Sequence, residues 1–315
     1  MPRVFPSFPV VLFVLICSAS AQVLPARQPN PRDRFALRMG APFLAETSHE
    51  ASSLSTSDEA ASGCRAISIK YPGAYATGLT GVNNRGKVVG GWSNEATAKY
   101  GFVWDHGSFF PIAFPGSTWT VAAAINDAGD IVGTFTSAGA HVQEQGFIFS
   151  GGKYSIIDPP DSGGYAYAID INDQGDVLGY AGQSGFLLHR GKFSYFSVPN
   201  GITYPAGLNN KGQIVGSFVD SDGRWHGFLL ENGEYTTIDD PDGSATMVVD
   251  INDDGVILGV WSNDETGGIF RLENGKFEHI PDSGSFYPER TNDAGVLVGY
   301  TNTWAPSEGI IAECP

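Results

Sequence analysis

Three charged residues stand where a repeating pattern otherwise places small ones. Two positions ahead of a recurring Asn the chain carries Gly81, Ala124 and Gly207 in three copies, but Asp170, Asp250 and Arg290 in the others. Two carboxyls beside a guanidinium can serve as general acid and base on an anionic substrate held by the arginine, the chemistry of a lyase or hydrolase. The remaining reactive residue types form no known constellation. His49, His106, His141, His189, His226 and His279 are scattered, with no H-E-x-x-H pair, and no Gly-x-Ser-x-Gly elbow or phosphate-binding Gly loop occurs. Asp250-Ile251-Asn252-Asp253-Asp254-Gly255 matches the start of an EF-hand loop, and Asp170 to Gly175 does so less well. Their twelfth positions are Trp261 and Ala181 instead of a bidentate acid. A hairpin turn accounts for both strings. The sequence therefore predicts no metal and no other cofactor.

The element that positions these residues is a motif, Asn-[Asn/Asp]-x-Gly-x-[Val/Ile]-[Val/Leu]-Gly, loosened at one position in places. It begins at Asn83, Asn126, Asn172, Asn209, Asn252 and Asn292, with spacings of 43, 46, 37, 43 and 40 residues. That period suits one small β-sheet per unit. In the first unit Tyr75 to Val82 reads as strand a, Asn83 to Gly86 as a turn, Lys87 to Ser93 as strand b, Tyr100 to Asp105 as strand c and Ser108 to Pro115 as strand d. The first motif Gly accepts the positive φ of a bulged hairpin turn. The second, inside strand b, implies close approach of a backbone or aromatic ring. Strand c carries Phe102, Phe147, Phe186 and Phe228 after a Gly, and Ile269 and Ile310 align with them in the last two units.

Six such units predict an all-β, six-bladed β-propeller. Arg65 to Gly73 aligns with strand d, and the chain ends in strand c at Gly309 to Cys314. The first strand should therefore complete the last blade. In the same alignment Cys64 and Cys314 fall on Gly107 and His106, neighbours in a c–d turn, which predicts a disulfide in place of a covalent turn. With Cys64 and Cys314 paired, and Cys17 expected to leave with an N-terminal signal, thiol catalysis is excluded.

The 64–315 propeller domain is about 250 residues, a size one large β domain can fill. Residues 1–21 read as a signal peptide: Arg3, the apolar run Val10 to Ile16, and Ala19-Ser20-Ala21 as a cleavage site. Residues 22–63, rich in Pro, Ser and Ala, read as a disordered linker. The protein is thus expected to be secreted, periplasmic or extracellular, with no membrane span, and a monomer. Its 34 Asp and Glu against 18 Lys and Arg make nucleic acid a poor partner.

The repeats resemble the bacterial extracellular HAF repeat family. The shared string is best seen at Ile125 to Gly133 (INDAGDIVG), and His226-Gly227-Phe228 comes nearest to the His-Ala-Phe triplet of strand c. The resemblance implies an exported, propeller-like repeat protein and supplies no catalytic residues.

Where the units differ is informative about binding. The a–b and c–d turns are short and uniform, whereas the b–c loops vary, and variable insertions on one face of a repeat array often mark the binding face. That face offers Trp119, Tyr165, Tyr167, Tyr204 and Tyr287 at the start of strand a. The b–c loops add Arg224, Trp225 and Trp304, with Asp220, Asp222 and Glu265. Aromatic rings stack on sugars and anchor protein partners alike. The leading expectation is a binding module for a carbohydrate or an extracellular protein. Its alternatives are the lyase or hydrolase at the channel mouth and a structural envelope or matrix protein.

Overall fold

The computed structural model describes residues 64–94, 98–137, 144–160, 162–199, 201–280, 286–301 and 307–314. The signal, the linker, Trp304, His49 and His141 lie outside these. The alternation of Val, Ile, Phe and Tyr with polar residues between Gly-containing turns produces short strands, and these form six four-stranded antiparallel sheets around one axis. The molecule is a six-bladed β-propeller.

Blade 1 consists of Ala76–Val82, Val88–Asn94, Ala98–Asp105 and Ser108–Ile112, which are its strands a to d. Blade 2 is Ser117–Ile125, Ile131–Ser137, Glu144–Ser150 and Lys153–Ile157; blade 3 is Tyr167–Ile171, Val177–Ala181, Ser184–His189 and Lys192–Phe196. Blade 4 is Ile202–Leu208, Ile214–Val219, Trp225–Glu231 and Glu234–Ile238; blade 5 is Ala245–Ile251, Ile257–Ser262, Gly267–Glu273 and Lys276–Ile280. Blade 6 takes Phe286–Thr291, Val296–Thr301 and Gly309–Glu313 from the chain's end, and its strand d is Arg65–Ile69 from the start of the domain. Arg65 pairs with Glu313 as Ser108 pairs with Asp105 in blade 1. The expected Cys64–Cys314 disulfide joins the two strands where a two-residue turn would stand. That turn in blade 1 is His106-Gly107, both with positive φ.

Burial follows from stacking the blades face to face. Inner strands have a neighbour on each side, so strand b is buried on both faces over its first residues, as in Val177–Ala181. Outer strands are mostly exposed and bury their last residue, as in Lys153–Ile157. The core therefore lies between blades. Phe102, for example, packs with Ile69 and Val298 of blade 6 as well as with Leu79 and Val88 of its own. Fully burying such a ring contributes about 1.5–3 kcal/mol relative to leaving it exposed.

The register explains the second motif Gly. Five of these six glycines lie opposite a strand-c Phe, and a Cβ added to Gly133 would collide with the Val121 carbonyl and the Phe147 ring. The register also corrects one alignment. In blade 5 Gly259 faces Phe270, so Phe270 holds the conserved-in-register core position and Ile269 occupies the place of the preceding Gly. Ile310 does replace Phe in blade 6, opposite Gly299. Strand a also carries a register shift at an equivalent place in every blade, between Leu79 and Gly81 in blade 1 and between Pro288 and Arg290 in blade 6, and blade 2 has a second between Ser117 and Trp119. This repeated β-bulge is followed directly by the position that holds Asp170, Asp250 and Arg290.

Candidate functional site: the axial mouth

The motif Asn does two jobs. In blade 1 the Asn83 side-chain oxygen accepts the N–H groups of Arg85 at 3.1 Å and Lys87 at 2.9 Å, closing its own turn. Its Nδ2 donates to the carbonyl of Asn126 in the next blade at 2.9 Å. The same bond runs from Asn126 to Asn172, Asn172 to Asn209, Asn209 to Asn252 and Asn252 to Asn292, and Asn292 returns to Asn83 at 3.2 Å. All six residues are buried. The double duty needs an acceptor and a donor on one short side chain, which Asn has and ionised Asp lacks. That is a physical reason for Asn at this position in all six copies.

The second motif residue forms a second closed ring, nearer to solvent. The backbone N–H of Asn84 donates to Asp127 Oδ1 at 2.8 Å, Asp127 to Asp173, Asp173 to Asn210, Asn210 to Asp253, Asp253 to Asp293, and Asp293 back to Asn84 at 2.9 Å. Only an acceptor is needed here, so Asn and Asp both serve. Four carboxylates and two amides thereby encircle the axis. Together the two rings frame a pocket of about 80 Å³ whose floor includes Asp170, Asp250 and Arg290.

The floor is bonded across the axis. Arg290 Nη2 donates to the Ile169 carbonyl of blade 3, directly opposite blade 6, at 2.9 Å, and Nη1 donates to Val249 of blade 5 at 3.2 Å and to Glu289 at 2.9 Å. Its Nε lies 3.8 Å from Asp250 Oδ1. Asp250 Oδ2 accepts the Thr291 N–H at 2.8 Å, and Asp170 Oδ2 accepts the Leu208 N–H at 2.7 Å, each tying its blade to the next. Burial pushes the Asp250 carboxyl up to about 8, with Arg290 pulling it down and Asp170 adding to the rise. Burial likewise raises Asp170 against the pull of Arg290. At the rim, burial and the neighbouring Asp293 and Asp173 raise Asp253, against hydrogen bonds from Asn210.

The pocket opens on the a–b turn face, the end of the axis away from the b–c loops. Of the aromatic residues proposed for the loop face, Trp119, Tyr167 and Tyr204 are buried. Tyr204 stacks obliquely on half-buried Trp225 at 5.1 Å. Both share the blade face of Ser217, whose hydroxyl bonds the Val248 backbone of blade 5, so the pair packs between blades. Tyr287 stacks on Tyr300 at 5.7 Å, and Tyr165 is half-buried. Arg224 is exposed and donates to the Ser244 carbonyl at 3.4 Å. The structure thus brings Asp170, Asp250 and Arg290 together at one end of the axis and spreads the aromatic candidates over blades 2, 3, 4 and 6 toward the other end. The acidic rim of Asp127, Asp173, Asp253 and Asp293 was in view in the sequence only as the second motif residue.

No family model and no curated protein matches the sequence. Solved structures match in fold. A gluconolactonase from Xanthomonas campestris is similar at 13% identity and a TM-score of 0.53, over 85% of this chain and 99% of that one. The β-propeller domain of a protease from Pyrococcus furiosus matches at 11% identity and a TM-score of 0.50, over 79% of this chain and 90% of that domain. The acylaminoacyl peptidase of Pyrococcus horikoshii matches at 11% identity and a TM-score of 0.51, over 81% of this chain and 48% of the peptidase. At these identities the likeness places the chain in the β-propeller class and goes no further.

Proposed function

We propose that the protein is an exported binding module of the HAF repeat type, and that its ligand inserts a positively charged group into the axial mouth. The observation that carries this is the hydrogen-bond state of the mouth. The Nδ2 groups of both rings and the backbone N–H groups of the outer ring donate to neighbouring blades, the two terminal nitrogens of the guanidinium below them donate to carbonyls, and its Nε is buried beside Asp250. What faces the opening is a set of acceptors with net negative charge. A sugar hydroxyl donates and accepts, so it would leave half its capacity unmet. An ammonium or guanidinium only donates, and hydrogen bonds to charged partners contribute about 1.5–3 kcal/mol against about 1 for neutral ones. A Lys or Arg side chain of an extracellular protein fits a pocket of about 80 Å³. Export is supported by the disulfide.

Calorimetric titration with a short Arg-containing peptide and with a neutral oligosaccharide tests the reading. Saturable binding of the peptide alone is the expected result. Binding of the oligosaccharide alone would move the site to the loop face, with Arg224, Trp225 and Tyr287 as its candidates.

A hydrolase or lyase at the same mouth is the second reading, supported by the raised Asp250 carboxyl beside Arg290. Turnover of an anionic substrate that Asp250→Asn abolishes would establish it, and binding without turnover would remove it.

A further inference from the structure

Four of the crossings from strand d to the next strand a repeat a local design, and in one of these the residue type changes. The N–H groups of Tyr71, Phe114, Val198 and Asp240 donate to the hydroxyls of Thr77, Thr120, Thr203 and Thr246 at 2.9, 3.0, 2.8 and 2.8 Å. The four residues are therefore equivalent. Three are apolar and pack on the following blade: Tyr71 stacks on Trp92 at 4.5 Å and Phe114 on Phe135 at 3.7 Å. Entering blade 5 the position holds Asp240, whose side chain is fully buried, and the ring that lies over Trp261 is that of His279, at 4.7 Å. An aromatic stack has been exchanged for a buried carboxylate facing an imidazole. His279 Nε2 lies 2.9 Å from Asp240 Oδ2, and Asp242 Oδ2 lies 3.7 Å from His279 Nδ1.

We infer that Asp240, Asp242 and His279 form a binding site for a divalent transition-metal ion, with Zn²⁺ the best fit. One ring nitrogen of His279 and one carboxylate oxygen from each Asp lie within 4.8 Å of one another. Zn²⁺ takes imidazole nitrogen at 2.0–2.1 Å and carboxylate oxygen at about 2.0–2.2 Å, which sets tetrahedral ligands about 3.3 Å apart. The His279–Asp240 pair reaches that separation by opening a few tenths of an ångström. One nitrogen and two oxygens, with water in the fourth position, suit Zn²⁺; Ca²⁺ prefers six to eight oxygens.

The ligands are held before any ion arrives. Asp240 Oδ1 accepts the Asp242 N–H at 3.0 Å, and the Asp242 carbonyl accepts Asn263 Nδ2 at 2.8 Å. Trp261 fixes the plane of the imidazole. The buried carboxylate, which in the three equivalent crossings is a Tyr, Phe or Val side chain, is what the site costs the fold.

Tag-free protein stripped with a chelator and titrated with ZnCl₂ by calorimetry tests this, with the visible spectrum of Co²⁺ as a second readout. One equivalent should bind per chain. His279→Gln and Asp242→Asn should each weaken binding at least tenfold and abolish the Co²⁺ absorption of a nitrogen-oxygen site. His226→Gln, which alters another imidazole set between two carboxylates, should leave both unchanged. Asp242 is exposed, so its variant should fold even where a change at Asp240 does not. Absence of saturable binding, equal affinity in His279→Gln, or loss of binding in His226→Gln would each overturn the assignment.

Discussion

Asn292 and Asn83 are 209 residues apart in sequence, and a hydrogen bond from Asn292 Nδ2 to the Asn83 carbonyl, 3.2 Å long, closes a ring of six identical bonds. The ring makes each blade the acceptor of the one before it. A change in one Asn is therefore felt at two interfaces, the turn it caps and the blade it reaches.

Asn172→Asp and Asp173→Asn separate the two positions of the motif. The first removes the donor to the Asn209 carbonyl and buries a charge, and should cost about 1–3 kcal/mol. For a domain of this size that is a fall in Tm of about 2–4 °C per kcal/mol. The second keeps an acceptor for the Asp127 N–H and loses only the exposed hydrogen bond from Asn210 Nδ2, so it should lower Tm less than the first. Thermal denaturation of the two single variants checks both.

Cys64→Ser/Cys314→Ser leaves blade 6 closed by five β-pairs alone. The covalent link spans 250 residues, for which the chain-entropy account gives on the order of 5 kcal/mol as an upper figure. Hydrogen exchange should show Arg65 to Ile69 and Gly309 to Glu313 losing protection first, with blade 3 least affected.

The buried acids give this protein an unusual dependence on pH. Asp250 has a folded-state value near 8, far above its value in an unfolded chain, so between about pH 4 and pH 8 the folded state holds a proton that the unfolded chain has released. Its contribution to stability is complete at acid pH and is lost as pH rises through 8; Asp170, also raised, acts in the same direction. Urea denaturation at a series of pH values should show stability falling across this window. Asp250→Asn, which cannot titrate, should flatten the fall. An unchanged slope in the variant would show that the carboxyl is not the titrating group.

Much of the architecture is legible in the repeat because each motif position answers a local demand. Gly86 turns the chain at a φ of 75°, Gly90 admits the Phe102 ring, and the misfit of one strand at each end of the chain locates both the closure and the disulfide. The site is less legible, because its geometry is made between blades. The bulge residue itself is Thr80, Ala123, Ile169, Ala206, Val249 or Glu289, which share no property that a pattern can detect. The reach of Arg290 to Ile169 crosses 121 residues, and His279 meets Asp240 across 39. The aromatic residues at the start of strand a read equally well as ligand platform or as packing. Tyr204 and Trp225 show why: a ring on an inner strand is pressed against the next blade before it can reach solvent.

The account of function rests on the negative charge of the axial mouth. The most direct test is the affinity of an Arg-containing peptide for wild-type protein and for Asp127→Asn/Asp293→Asn, measured by calorimetry at low and at high salt. Both positions hold Asn in other blades, at Asn84 and Asn210, so the backbone bonds of the outer ring should stay closed, with the exposed side-chain bond from Asn84 Nδ2 to Asp293 lost. The account predicts at least a tenfold loss of affinity in the variant and a marked weakening of wild-type binding by salt. Equal affinity in the two proteins, insensitive to salt, would contradict it.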